Sequence, residues 1–484
     1  MFDLRPVLFV IGVLLAILAA AMLVPALVDL ASGNPDWSVF VGSSAITLFV
    51  GVALAITSRG PTFNLGVRQA FLLTTLVWVT IAAFGALPFV FSELELNYTD
   101  AYFEAMSGIT TTGSTVIVGL DRAPPGLLLW RSILQWLGGV GIIVMAIVIL
   151  PMLRVGGMQL FRMESTDTSE KALPRVAQIA AGIGFIYAGL TLACIIAYAA
   201  AGMPWFDALA HAMTTVATGG FSTSDLSVGK YGLAGVDYVA TVFMVLSGLP
   251  FVLYLRAVRG QPGVLWRDSQ VRWFLAVVAI AIATMTLYLA VHRAEEIGLA
   301  EALRLAAFNV VSVVTGTGYA TSDWGLWGSF AVGAMFFLMF VGGCAGSTTC
   351  GIKIFRFQVL YATAEAQMKK LLHPHGVFIA YYNRKPIPPG VSESVMSFFF
   401  LFVICFAALA MALGLMGLDF ITAVSGAATA IANVGPGLGP VIGPAGTFAP
   451  LPDGAKWLLA FGMLIGRLEL FTVLILLAPG FWKD

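Results

Sequence analysis

The sequence is poor in charge. Its 484 residues include 25 Lys+Arg and 25 Asp+Glu, 10% of the chain, against about 25% in a soluble globular protein. So few charges cannot cover the apolar side chains, and lipid must solvate much of the surface. The net charge of zero argues against a nucleic-acid partner. Cysteine and histidine are scarce too. Cys194, Cys344, Cys350 and Cys405 all sit in apolar segments, which fits small buried side chains better than disulfides or metal ligands. His373 and His375 lie in a polar loop with no further ligand nearby, so no metal cluster is expected. There is no nucleophile beside a base and no pair of carboxylates inside the apolar runs, which argues against a membrane enzyme.

What is abundant is hydrophobic residues, 59% of the chain. Ten stretches approach the roughly 20 residues that a bilayer requires. They run approximately 7–29, 37–57, 69–91, 127–150, 178–201, 234–257, 272–292, 328–358, 394–416 and 456–479, the eighth interrupted by glycines.

Four shorter apolar segments remain, approximately 100–112, 206–219, 301–317 and 419–434. Each opens near an acidic residue suited to a helix start (Asp100, Asp207, Glu301, Asp419). Each then meets a polar glycine-bearing segment: Ile109 to Thr115, Ala217 to Thr223, Thr315 to Thr321 and Ala432 to Leu438. Helices this short dip into a membrane and return only where protein or a water-filled cavity shields the non-helical backbone. After two leading spans the order is span, half-helix, glycine segment, span, four times over. The expected fold is therefore an all-α integral membrane protein with four pseudo-repeats around one pore. The divisions are 1–60 for the two extra spans, then 61–155, 156–258, 259–392 (with a cytoplasmic linker) and 393–484.

Aligned on one glycine each, the segments read as ion-filter strands: Thr111-Thr112-Gly113, Thr218-Gly219-Gly220, Gly316-Thr317-Gly318 and Asn433-Val434-Gly435. A dehydrated alkali ion needs oxygens in place of water, and backbone carbonyls aimed at an axis supply them. Glycine tolerates the backbone angles this requires. A lone glycine loop between helices would be unremarkable, but four copies in matching context are not.

Basic residues cluster in alternate loops. Arg59 and Arg68 follow span two; Arg154, Arg162, Lys171 and Arg175 follow span four. Arg256, Arg259, Arg267 and Arg272 follow span six, and Lys353, Arg356, Lys369, Lys370, Arg384 and Lys385 follow span eight. Positive charge marks the cytoplasmic side, which then also holds both termini. The opposite side carries Glu93, Glu95, Asp100, Glu104, Asp121, Asp207, Asp225, Asp237, Glu295, Glu296, Glu301, Asp323, Asp419 and Asp453, either a cation-concentrating mouth or ordinary solvated loop charge.

Span eight contains Gly342-Gly343-Cys344-Ala345-Gly346-Ser347-Thr348-Thr349-Cys350-Gly351. Helix propensity this low predicts an unwound stretch below the third strand, with close packing of small residues as the alternative. Arg467, midway along the last span, needs a partner or a cavity. Its donors suit the carbonyls or hydroxyls of Ser347, Thr348 or Thr349, a latch on the unwound loop. A structural ion pair is the alternative, although Glu469 lies only two residues away and points elsewhere on a helix. Arg131 and Gln135, one turn apart, either brace the first strand or simply pack near the membrane surface. His211 is read as a structural hydrogen-bond partner.

These motifs resemble the Trk/Ktr/HKT superfamily of potassium transporters, specifically its TrkH-type membrane subunits, over nearly the whole chain. They are TTTG, TGGFST, NVGPGLG, the run from Trp130 to Ile142, the break in span eight, and Gly466 to Glu469. The two extra N-terminal spans favour the TrkH type. The resemblance implies a bacterial inner-membrane protein, a homodimer with one potassium pathway per subunit, potassium bound at the filter strands, and a gate at Gly342, Gly343, Gly346, Ser347, Thr348, Thr349 and Arg467. It also implies a cytosolic nucleotide-binding regulatory subunit (TrkA-type). No nucleotide-binding glycine fingerprint follows a strand in this chain, so nucleotide control would come from that partner. Relatives with serine at the first filter glycine tend to admit sodium; Gly113 points to potassium. Proton- or sodium-coupled symport is the competing transport mode, and a scaffold without transport is the third possibility.

Overall fold

The computed structural model describes residues 3–60, 66–148, 156–158, 160 and 172–482. Arg154, Arg162 and Lys171, read above as cytoplasmic charge, lie outside these. Among the described residues, seven helices are long and apolar enough to cross a membrane: Arg5–Ser32, Trp37–Thr57, Val67–Phe91, Pro125–Ala146, Gln178–Ala200, Ser269–His292 and Val391–Leu415. This is a multi-pass helical membrane fold.

Three of the ten expected spans are not continuous helices. The sixth is two helices, Ala234–Ser247 and Phe251–Val258, bent by 92°. Pro250 cannot continue a ladder and Gly248 weakens it. The tenth is Asp453–Arg467 followed by Phe471–Leu477, bent by 111°. Its turn runs through Glu469 and Leu470, at φ 64° and 42°. The eighth is helical over Ser329–Leu338, and its chain becomes helical again at Ile354–Leu372. A parallel bridge between Val341 and Ile352 closes the intervening loop.

Broken spans leave backbone groups that lipid cannot satisfy. Here two breaks serve each other. Phe251 N–H donates to the Gly346 carbonyl (2.9 Å), and Cys344 N–H to that of Gly248 (3.1 Å). The Thr348 hydroxyl donates to the Ser247 carbonyl at 3.2 Å.

The four half-helices are Tyr98–Ile109, Trp205–Val216, Leu299–Val314 and Phe420–Ala432. Of the acidic residues expected to cap them, only Asp419 does, accepting from Thr422 N–H at 3.1 Å. The first is capped by Asn97 instead, which accepts from Asp100 N–H (2.9 Å). Asp100 pairs with Lys456 (2.5 Å), Asp207 accepts from the Thr223 hydroxyl (2.7 Å), and Glu301 sits beside Arg304 (3.3 Å).

The first two spans pack tightly where Gly12 and Gly51 meet: a Cβ on either would lie 2.6–2.8 Å from the other's carbonyl oxygen. Their apolar face (Val7, Leu15, Met22, Phe40) joins Phe89, Ala101 and Trp130 in one core cluster. Asp29 fixes the seam by accepting from Gly126 N–H at 2.6 Å. A larger core surrounds the remaining half-helices. The all-α expectation is modified by one hairpin, Tyr381–Tyr382 against Lys385–Pro386. Asn383 and Arg384 turn it with φ 49° and 65°, the positive angles of a two-residue primed turn.

Candidate functional site

Each half-helix ends in the same way. The residue two before the aligned glycine is left-handed: Thr111 (φ 52°), Thr218 (51°), Gly316 (69°) and Asn433 (52°). The next N–H then reaches back five residues: Thr112 to Ser107 (2.9 Å), Gly219 to Thr214 (2.8 Å), Thr317 to Ser312 (2.9 Å) and Val434 to Thr429 (3.1 Å). This closure satisfies carbonyls that a helix end would orphan. A β-branched threonine at positive φ is uncommon, and such residues gather at functional sites. The sequence reading assigned the special backbone to one glycine per strand. The signal for the second position was Gly316, with Asn433 the next most tolerant residue.

The aligned glycines are left-handed as well: Gly113 (87°), Gly220 (77°), Gly318 (82°) and Gly435 (107°). Each faces the neighbouring segment. A Cβ on Gly113 would collide with the Gly219 carbonyl oxygen, one on Gly220 with that of Thr317, and one on Gly318 with that of Val434. A Cβ on Gly435 would lie 2.9 Å from the Thr112 carbonyl oxygen, which closes the circle. The four segments therefore converge in chain order, and the carbonyls one residue before each glycine meet at the contacts.

Buried side chains lock the ring from behind. The Thr110 and Thr112 hydroxyls pair at 2.8 Å, as do those of Thr315 and Thr317 at 2.7 Å. Asn433 Nδ2 donates to Thr112 Oγ1 (2.8 Å) and the Met463 carbonyl (2.9 Å), tying the fourth segment to the first. The aromatic residue after a glycine leans on the preceding unit. Phe221 lies under the Arg131 guanidinium, 4.0 Å from the ring centre, and the Tyr319 hydroxyl donates to the His211 carbonyl at 3.1 Å.

Arg131 and Gln135 act on the second segment rather than the first alone. Arg131 pairs with Glu104 at 2.8 Å, donates to the Ser222 carbonyl at 2.7 Å and reaches Thr115 Oγ1 at 3.2 Å. It thereby joins the first half-helix to both segments. Gln135 contacts Gly219 and Phe221. His211 is structural, as expected. Its Nδ1 donates to the Asp207 carbonyl (2.8 Å), which leaves Nε2 to accept from Ser222 (2.9 Å).

The unwound loop of span eight lies directly against the ring. Cys350 Sγ is 3.6 Å from Thr111 Oγ1, and its Cβ lies 3.5 Å from where a Gly316 Cβ would stand. Arg467 donates to the Thr348 carbonyl (3.1 Å), to Cys350 Sγ (2.6 Å) and to the Gly138 carbonyl (3.3 Å). The anticipated contact is present, to Thr348 by its carbonyl; Cys350 and Gly138 were not anticipated. Ser347 and Thr349 instead pair with each other (2.7 Å), and Lys353 Nζ donates to the Thr349 carbonyl. Glu469 pairs with the fully buried Arg356, whose Nε donates to the Gly156 carbonyl at 3.0 Å, yet it lines the same cavity as Arg467. The loop, Arg467 and Lys353 line a cavity with Ile142, Ala146 and Met158.

The acidic mouth is partly an internal network. Glu104 is buried under Arg131, and Asp237 pairs with Arg304 (2.6 Å). Asp121 pairs with Lys230 (2.9 Å), and Asp225 accepts from the Gly119 and Leu120 N–H groups (3.1 Å).

Comparison with known proteins agrees with this architecture. The family model of TrkH, described as a cation transport protein, matches residues 37–483. The chain is 49% identical to the Trk system potassium uptake protein TrkI of Halomonas elongata, over 99% of this chain and 97% of that protein. It is 38% identical to the Trk system potassium uptake protein TrkH of Salmonella typhimurium, over 99% of both. Its fold superposes on the crystal structure of the potassium transporter TrkH from Vibrio parahaemolyticus with a TM-score of 0.92, at 36% identity and over 100% of both chains. The chain belongs to the TrkH family of cation transport proteins.

Proposed function

We propose that the chain is the potassium-conducting membrane subunit of a Trk-type uptake system. The observation that carries this reading is the closed circle of glycines and carbonyls: Gly113 on Gly219, Gly220 on Thr317, Gly318 on Val434, Gly435 on Thr112. Carbonyls converging from four strands are the means by which backbone replaces the hydration shell of a potassium ion. Potassium would bind at Thr111, Thr112, Gly113, Thr218, Gly219, Gly220, Gly316, Thr317, Gly318, Asn433, Val434 and Gly435. The four half-helices end at these strands, so the partial negative charge of each carbonyl end favours a cation there. The potassium uptake names of its relatives support the ion assignment.

The loop beneath the ring is the gate in this reading. It comprises Gly342, Gly343, Gly346, Ser347, Thr348 and Thr349, with Arg467 as its latch. A cation leaving the ring meets the guanidinium before the cytoplasm, so the closed loop blocks by both bulk and charge. The divisions 1–60, 61–155, 156–258, 259–392 and 393–484 describe two accessory spans and four pore units. The family resemblance supports reading the chain as a homodimer in the bacterial inner membrane with a nucleotide-binding partner on the cytoplasmic side, and the loop charges support placing both termini on that side.

Proton- or sodium-coupled symport is the second reading. Against it, three of the buried acids among the described residues, Glu104, Asp237 and Glu469, are each held in an ion pair, and the other two, Asp29 and Asp36, lie at the two leading spans away from the ring. Potassium, rubidium and sodium flux through purified protein in liposomes tests the assignment, with Gly113→Ser as control. Flux that reverses with the potassium gradient alone is expected. Equal sodium and potassium flux in the unmodified protein would overturn it.

A further inference from the structure

Among the described residues, one of the four ring carbonyls takes a side-chain hydrogen bond. Gln135 Nε2 donates to the Gly219 carbonyl at 2.6 Å, and Gln135 Oε1 accepts from Phe221 N–H at 3.0 Å. The two bonds straddle Gly220. The amide orientation is fixed by chemistry, because a backbone N–H only donates and a carbonyl only accepts. Gln135 and Gly219 are both fully buried or nearly so, and a Cβ on Gly219 would collide with the Gln135 side chain. This collision accounts for a glycine at 219, where the other segments have Thr112, Thr317 and Val434.

The other segments do not share this clamp. At the position of Phe221, the fourth segment has Pro436, which has no N–H to satisfy. The first has Ser114, whose hydroxyl instead donates to the Gly435 carbonyl at 2.8 Å. The third has Tyr319, whose own carbonyl is held by Ser312 at 2.7 Å. Among the described residues, only in the second segment does a neighbouring span grip the ring carbonyl itself.

We propose that Gln135 is a selectivity-determining positioning residue. Its amide fixes the two peptide planes around Gly220 and holds one lone pair of the Gly219 oxygen, so that this oxygen meets an ion with a set direction and a reduced field. The proposal rests on the filter reading above. A carbonyl free to swing adapts to a smaller ion, whereas a clamped one keeps the spacing of the larger.

The test uses full-length protein in liposomes and measures the potassium-to-sodium permeability ratio from reversal potentials. A ratio is independent of how much protein is active. Gln135→Met is close in length and shape and removes both the donor to Gly219 and the acceptor for Phe221. Gln135→Leu removes both with a shorter side chain. Each is expected to lower the ratio by about tenfold, the equivalent of one buried hydrogen bond. A ratio unchanged in Gln135→Met overturns the inference while leaving the filter reading intact. An unselective unmodified protein would overturn the filter reading instead. Where Gln135→Leu does not fold, Gln135→Met decides alone.

Discussion

Arg467 donates to the Thr348 carbonyl across 3.1 Å, so the end of the last straight helix holds the unwound loop of the eighth span. The two residues are 119 positions apart, and each lies where its own span breaks. Replacing Arg467 with alanine should free the loop. Rubidium uptake into liposomes should rise several-fold with the potassium-to-sodium ratio unchanged, since the ring is left intact. Unaltered uptake would remove the latch from the mechanism.

Asn433 combines a left-handed backbone with two buried donations, to Thr112 Oγ1 and to the Met463 carbonyl. Asn433→Gly keeps the backbone and loses the bonds. Asn433→Ala loses the bonds and adds about 1–2 kcal/mol of left-handed strain. Thermal unfolding in detergent should therefore rank unmodified above glycine above alanine. The unmodified-to-glycine step should be about 1–3 kcal/mol, the range for orphaned buried groups. Alanine more stable than glycine would show that the left-handed angle carries no cost.

Glu104 and Arg131 form a buried pair at 2.8 Å that connects the first half-helix to the second segment. Removing one member leaves a buried charge without its partner and costs about 3–5 kcal/mol. Glu104→Ala should accordingly reduce the yield of monodisperse protein far more than Asp225→Asn, which alters an exposed group. Comparable yields would place the strain elsewhere.

Spans, half-helices and the four segments were legible because each rests on local pattern: apolar length, an acidic or polar start, a glycine. The breaks in spans six and ten were missed for different reasons. Pro250 within an apolar run was a visible signal for the first. Nothing local marks the second, where Glu469 and Leu470 are ordinary helix residues until Arg356 draws Glu469 aside. The identity of each buried partner was equally hidden. Gln135 read from sequence as either a brace on the first strand or packing near the membrane surface; only the packed fold brings the fourth span to Phe221.

Asp121 sits in the loop after the first segment, and the hydrogen bond from Lys230 holds its carboxyl below the ordinary carboxylate range. A depressed value stabilises the fold above the ordinary carboxylate range, and the gain disappears as pH falls through the lowered value. Both side chains are about 40% exposed, so the contribution is small and screened by salt. Asp121→Asn should thus match the unmodified protein in strongly acidic buffer and fall slightly below it near neutrality at low salt. A difference that grows on acidification would contradict the pairing.

The circle of four glycines has a genetic corollary. In a pore assembled from identical subunits, one codon change alters every strand at once. Here Thr111, Thr218, Gly316 and Asn433 occupy the same left-handed position with three different residue types. On the proposed filter reading, a single mutation touches one quarter of the ring, and permeation would be adjusted in small, separately heritable steps.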